Sequence, residues 1–341
     1  MSMYESKKIE VIKMSNKFGL VYTDAIEENL TGKVNIKSVS YEVGGIKVAA
    51  NLYLPANFDE TKKYPAVTSA HPNGGCKEQV SGLFAQKLAE LGYVTIAADA
   101  RYQGGSEGIP RNRDYPENRI DDVSGMVDYL MTLPYVDTNR IGSLGICGGG
   151  GYTLGAAQRD KRIKAVATLS MFNTGRVRRN GFLDGDMDNI QTRLQKAAEA
   201  RSKELSGEVI YEGENPPMTE EQLRGLMEKL PAGLYRDGVE YYGITHAHPN
   251  SDSKYTTESL MHLMAFDVDD RMDLINQPLL MMAGDIADTK YMTDSAYEKA
   301  INAKKKELFL IEGATHIRTY WVPEYVEKAV VKLKEFFGAN L

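Results

Sequence analysis

Apolar and polar residues alternate through Val34-Asn35-Ile36-Lys37-Ser38-Val39-Ser40-Tyr41, which predicts a half-buried strand. Gly44-Gly45 reads as a hairpin turn, and residues 46–54 as the returning strand. Tyr64-Pro65-Ala66-Val67-Thr68-Ser69-Ala70 is more continuously apolar, as a strand covered on both faces would be. Between Lys77 and Leu91 the apolar positions are Val80, Leu83, Phe84, Leu88 and Leu91, one face of a helix, with Gly92 as its stop. Strands are predicted over 93–98, 140–144 and 164–169, and a second helix over 118–133. This rhythm predicts an α/β architecture: a mostly parallel sheet with helices on both faces, begun by an antiparallel hairpin.

The rhythm stops between about Asn173 and Asp270. The stretch is charged, with helix-like spacing over 187–206 and 218–230 and tyrosines at 235, 241 and 242. Nearly a hundred residues cannot be a plain loop in a compact domain. They read as an inserted helical cap over a site. Strands resume at 277–283 and 306–311, and a closing helix over 324–337 turns Val326, Ala329, Val330, Leu333 and Phe337 inward. The expected organisation is a core in two parts, 1–172 (with 1–32 peripheral) and 271–341, interrupted by a cap at 173–270.

Composition narrows the function classes. A net charge of -6 with both signs dispersed argues against nucleic acid as the main partner. No apolar run reaches the length of a membrane span, and the first residues lead into no apolar signal region. Cysteine occurs only at 76 and 147, which points to a reducing cytoplasm rather than a disulfide scaffold. No cofactor or metal is expected. Asp184-Gly185-Asp186-Met187-Asp188-Asn189 begins like a calcium loop, but it lacks the sixth-position glycine and has Gln195 at the twelfth. His246-Ala247-His248 has no accompanying ligand cluster in the sequence. A small-molecule substrate is the expected partner, and a homo-oligomer is compatible with the sequence.

The most specific stretch is Gly145-Ile146-Cys147-Gly148-Gly149, after the strand 140–144 and before a glycine-rich helix start at Gly149-Gly150-Gly151-Tyr152. Strand, tight glycine-bounded turn and helix lift a nucleophile above a parallel sheet, and Cys147 stands where most such enzymes carry serine. The helix dipole and a neighbouring histidine both favour thiolate. The base is expected in the loop after the last strand, where Glu312-Gly313-Ala314-Thr315-His316 supplies His316. The orienting acid is expected after the strand ending at Ala283. Asp288 is preferred there over Asp285, which suits a loop-holding role. The oxyanion donors are the amides of Gly148 and Asn73, with Gly74 as alternative in His71-Pro72-Asn73-Gly74-Gly75. Gly74, Tyr102 and Arg176 are weaker candidates for substrate contact. Cys76 reads as a buried or substrate-lining residue rather than a redox partner.

These residues resemble the α/β-hydrolase superfamily, and in particular its dienelactone hydrolase-like branch, which also carries Gly-x-Cys-x-Gly. They are similar to bacterial hydrolases related to fungal polyketide transferases and thiohydrolases. The likeness rests on His71 to Gly75 with Lys77-Glu78-Gln79, Tyr102-Gln103-Gly104-Gly105-Ser106, Gly145 to Tyr152, Ala287-Asp288-Thr289 and Glu312 to His316. It implies an α/β-hydrolase fold and a triad of Cys147, Asp288 and His316. The sequence departs from that group's pattern at Asn73 and Gly148, where the group carries glycine and alanine. Three functions compete: hydrolysis of an ester, lactone or thioester through an acyl-cysteine, acyl transfer to an alcohol, amine or thiol, and non-catalytic binding on a hydrolase scaffold.

Overall fold

The computed structural model describes residues 17–213 and 216–341. Among the described residues ten strands form: β1 (Asn35–Val43), β2 (Ile46–Leu54), β3 (Tyr64–Ala70), β4 (Val94–Ala98), β5 (Val136–Ile146), β6 (Ala165–Leu169), β7 (Tyr211–Glu212), β8 (Tyr255–Thr256), β9 (Leu279–Gly284) and β10 (Lys306–Ile311). Eight make one sheet in the order β1-β2-β4-β3-β5-β6-β9-β10, while β7 and β8 form a separate short ladder. β1, β2 and β4 pair antiparallel, and every other pairing in the large sheet is parallel. This is the α/β-hydrolase fold. The central strands β4, β6 and β9 are buried at every position, as strands sandwiched between helical layers must be.

The core helices are α1 (Val80–Glu90), α2 (Pro116–Thr132), α3 (Gly148–Arg159), α9 (Lys290–Lys299) and α10 (Pro323–Asn340). α10 buries Val326, Ala329, Leu333 and Phe337 as the spacing predicts, with Val330 half-buried. Between β6 and β9 lie α4 (Thr174–Asn180), α5 (Ile190–Glu204), α6 (Glu220–Lys229), α7 (Leu234–Gly238) and α8 (Leu260–Leu263), with a π-helical turn at Val239–Thr245. These helices are tied to loops at the carboxyl ends of the strands. Asp252 N donates to Gly74 O (3.0 Å), Gln79 Nε2 to His246 O (2.7 Å), and Leu234 N to Asp288 Oδ2 (2.9 Å).

Two features differ from the sequence reading. The β7–β8 ladder has two residues per strand, too short to show a period. Of the expected peripheral segment, residues 1–16 lie outside the described residues, but the rest is docked. Leu20 and Tyr22 are buried, and the Tyr22 hydroxyl donates to Gln86 Oε1 at 3.1 Å. No helix among the described residues is long and apolar enough to cross a membrane.

Candidate active site

Cys147 sits between β5 and α3 at φ 55°, ψ -123°, a left-handed backbone that costs strain in a non-glycine residue. The turn closes only because its flanks are glycine. A Cβ on Gly145 would lie 2.4 Å from Gly149 O, and one on Gly149 would lie 2.5 Å from Ala70 O. The turn thus aims the sulfur off the sheet, where four groups meet it: the Tyr320 hydroxyl, the Gly148 and Asn73 amides, and the Arg119 charge at longer range.

The sequence reading expected the dipole of the following helix and a neighbouring histidine to make a thiolate. The amides, the hydroxyl and Arg119 do act in that direction, but burial outweighs them and the Cys147 thiol is pushed up. His316 is fully buried, and burial alone pushes its imidazole down to about 3. At rest the pair is a neutral thiol and a neutral imidazole.

Tyr320 joins them. Its hydroxyl is 2.8 Å from His316 Nε2 and also hydrogen-bonds Cys147. On the other side of the ring, His316 Nδ1 lies 2.5 Å from Thr289 Oγ1. Asp288 does not occupy that place. Its Oδ2 accepts the Leu234 amide at the start of α7, and its buried Oδ1 has no partner. The expected carboxylate on the imidazole is therefore replaced by the hydroxyl one residue on, because the carboxylate is drawn to an unsatisfied helix-start amide in the cap. Asp285 Oδ1 accepts the Gly313 amide at 2.7 Å and holds the two loops together.

Neither Thr289 nor Tyr320 was singled out from sequence. Thr289 adjoins Asp288, and Tyr320 lies four residues after His316 in the 3₁₀ turn Ile317–Tyr320. A His-x-x-x-Tyr spacing was the available signal.

The weaker candidates fare differently. Asn73 donates its Nδ2 to Thr174 Oγ1 (2.8 Å) and leaves Oδ1 buried without a partner. Gly74, at φ 69°, is pressed against Ser253 and binds the cap through its carbonyl. Tyr102 is engaged in its own loop, with the Arg113 guanidinium 6.0 Å above its ring. Arg176 is neutralised by Asp184 at 2.5 Å and stacks on Tyr291. Asp184 is thereby committed to Arg176, and Asp186 to Arg193.

Cys76, Glu78 and His248 bring potential metal-ligand atoms within 4.8 Å of one another. Two of those atoms are already employed, while Glu78 Oε2 is buried without a hydrogen-bond partner. Lys77 Nζ sits 2.5 Å from Glu78 Oε1, and His248 Nδ1 accepts the Asn250 amide at 3.0 Å.

A family model described as X-Pro dipeptidyl-peptidase (S15 family) matches residues 44–318. The chain belongs to that family. It is a hydrolase, and within a serine-peptidase family its apex residue is a cysteine. The uncharacterised protein YcjY of Escherichia coli (strain K12) is similar to this S15-family chain. It is 38% identical over 300 residues, 87% of this chain and 95% of its own. The crystal structure of hypothetical protein PA2218 from Pseudomonas aeruginosa matches with a TM-score of 0.80 at 32% identity, covering 94% of this chain and 99% of that one. A thiohydrolase from Aspergillus aculeatus, aneE, is 34% identical over 128 residues, 37% of this chain and 38% of its own. Solved α/β hydrolases of lower identity share the fold.

Proposed function

We propose that this hydrolase cleaves an ester, lactone or thioester through an acyl-cysteine formed on Cys147, in the manner of the dienelactone hydrolase-like branch. The observation that carries this reading is the continuous hydrogen-bonded path from Cys147 through Tyr320 to His316. With Nδ1–H donating to Thr289 Oγ1, His316 Nε2 is an acceptor for the Tyr320 O–H. The thiol proton passes to the Tyr320 oxygen while the Tyr320 proton passes to Nε2, giving thiolate and imidazolium. The thiolate attacks the carbonyl, and the Gly148 and Asn73 amides hold the developing oxyanion. Collapse expels the alcohol or thiol, protonated from His316. Water, deprotonated by His316, then releases the acid and restores the thiol. The partial likeness to a thiohydrolase supports a thioester among the substrates.

Transfer of the acyl group to an alcohol, amine or thiol has one observation in its favour. Cys147 and His316 are both buried beneath the cap, which disfavours water as the acceptor.

Short p-nitrophenyl acyl esters test the reading. Wild-type protein is expected to release p-nitrophenol and to show the acyl mass on Cys147 by intact mass spectrometry after a rapid acid quench. Turnover by Cys147→Ala equal to that of wild type overturns it. Added alcohol or thiol acceptors separate transfer from hydrolysis by their products.

A further inference from the structure

The loop between β3 and α1 meets the cap in a side-chain cluster that the acyl chemistry does not use. Cys76, Glu78 and His248 bring a sulfur, a carboxylate oxygen and a ring nitrogen within 4.8 Å of one another. Cys76 and Glu78 are buried, and the His248 side chain is 4% exposed. No local spacing reveals the group, because His248 lies in the cap while its companions follow the loop that carries Asn73.

The carboxylate is only half used. Glu78 Oε1 takes Lys77 Nζ at 2.5 Å and Asn250 Nδ2 at 3.3 Å, whereas Oε2 is buried without a hydrogen-bond partner. A buried carboxylate oxygen is rarely left uncompensated. The atom it faces, His248 Nδ1 at 4.0 Å, offers it no proton. Nδ1 accepts the Asn250 amide at 3.0 Å and so carries a lone pair. The ring also hydrogen-bonds the backbone at Gly19, in the sense that favours a ring N–H. With Nδ1 an acceptor, that N–H is Nε2. An imidazole held through one nitrogen by the backbone and open at the other is the arrangement of a metal-ligating histidine. Two acceptors, Oε2 and Nδ1, thus face each other with no proton between them, beside a thiol. Charge points the same way. Asp99, 2.8 Å from Lys77 Nζ, balances the lysine by itself. The Glu78 carboxylate and a Cys76 thiolate then match a divalent ion.

We propose that Cys76, Glu78 and His248 form a site for a divalent cation of the zinc type, which fastens the cap to the loop carrying Asn73. Sulfur, imidazole and carboxylate are donors for tetrahedral Zn²⁺ or Co²⁺ rather than for Mg²⁺ or Ca²⁺. Metal–ligand bonds of about 2.0–2.3 Å put tetrahedral ligands roughly 3.3–3.8 Å apart, so the cluster contracts by about 1 Å on binding. The Sγ–metal bond forms as the thiol proton leaves to solvent, and Glu78 Oε2 and His248 Nδ1 bind without losing a proton. The Asn250 amide gives up Nδ1 and turns to water, which its half-buried position beside the exposed Pro249 allows. A water molecule completes the fourth position. The ion reinforces a junction that the fold already makes, through Asp252 N to Gly74 O and Gln79 Nε2 to His246 O.

The chain has only two cysteines, so Cys147→Ala protein leaves Cys76 as the one possible sulfur ligand and keeps the ion off the nucleophile. The test is therefore independent of the acyl-cysteine reading. Cys147→Ala protein is stripped with EDTA, desalted and titrated with Co²⁺. Saturable binding of one equivalent with a thiolate-to-cobalt charge-transfer band is expected, and Zn²⁺ is expected to displace the cobalt and abolish the band. Cys76→Ser in the same background is expected to lose the band. Loss of even an outer-shell partner costs about 10–100-fold in metal affinity, so His248→Gln is expected to weaken binding by about a hundredfold. Zn²⁺, but not Mg²⁺, is expected to raise the Tm of the Cys147→Ala protein. A missing band in that protein, or a band that survives Cys76→Ser, overturns the proposal. Where Cys76→Ser does not fold, the other two measurements decide: a Tm unmoved by Zn²⁺, or a cobalt affinity unchanged in His248→Gln, overturns it equally.

Discussion

At the residue scale the strained turn at Cys147 and the placing of His316 after the last core strand were legible, and the group that meets His316 Nδ1 was not. Cys147 announces itself because its backbone demands glycines on both sides, and those glycines are in the sequence. His316 follows from its place after the last core strand. The sequence weighed Asp288 only against Asp285; that Thr289 meets the imidazole instead goes with the bond of Asp288 to the Leu234 amide, a partner 54 residues away that no local spacing reveals. The two assignments predict opposite rankings. If the Thr289 hydroxyl fixes the imidazole tautomer, Thr289→Val lowers kcat by about tenfold, the worth of one well-placed hydrogen bond. Asp288→Asn then stays within a few-fold of wild type and chiefly loosens α7. Tyr320→Phe breaks the path altogether, so the rate of Cys147 alkylation by iodoacetamide falls together with kcat. Steady-state kinetics and alkylation rates on the three variants check this. A loss at Asp288 exceeding that at Thr289 would restore the carboxylate triad, and undiminished alkylation in Tyr320→Phe would remove the relay.

At the element scale the main sheet and its helices were legible because their periods are long enough to read, from the β1–β2 hairpin to α10. The stretch between β6 and β9 reads from sequence only as a break in rhythm. Its connections are single hydrogen bonds between distant loops, and its short ladder and π-helical turn carry no repeat. The pairing of Asn73 with Gly148 becomes intelligible where β3's loop meets α3. A Cβ at Gly148 would lie 2.1 Å from Asn73 Oδ1, so the larger residue at 73 requires the smaller one at 148. Glycine at 73 with alanine at 148 would be the reciprocal solution. Gly148→Ala alone is therefore expected to displace the oxyanion loop and lower kcat/KM at least tenfold, with an overpacking cost of about 1–3 kcal/mol. Asn73→Gly alone loses the bond to Thr174. The double variant Asn73→Gly/Gly148→Ala is expected to recover much of the activity and stability lost by Gly148→Ala. A double-mutant cycle on urea stability and kcat/KM measures the coupling, and strict additivity would show that the two positions do not sense each other.

At the scale of the whole molecule, buried neutral histidines tie sheet, cap and active site to one pH response. His71, at the start of the loop that carries Asn73, is pushed down to about 4 by burial, its Nε2 accepting the Ala100 amide at 3.0 Å. His246, in the cap, is likewise pushed down to about 4, and His316 to about 3. The unfolded chain protonates such groups near pH 6.5, whereas the native state resists until about pH 4 or below. Between those values unfolding takes up protons, so stability falls as pH falls. Asp122 works in the opposite sense. Burial raises it to about 6, so the native state gains that proton before the unfolded chain does, offsetting about one histidine. From these four groups roughly two protons remain, or about 2.7 kcal/mol of stability lost per pH unit through the middle of this range, and His248, also pushed down by burial, adds in the same sense. Urea denaturation at pH 7, 5.5 and 4.5 checks the sign, with the midpoint expected to drop at each step. Replacing His246 with Gln, which stays neutral at every pH, is expected to flatten the slope by about one proton. A midpoint that holds steady or rises on acidification would mean that these imidazoles reach solvent, and the closed, dry site inferred around Cys147 would have to open in the resting protein.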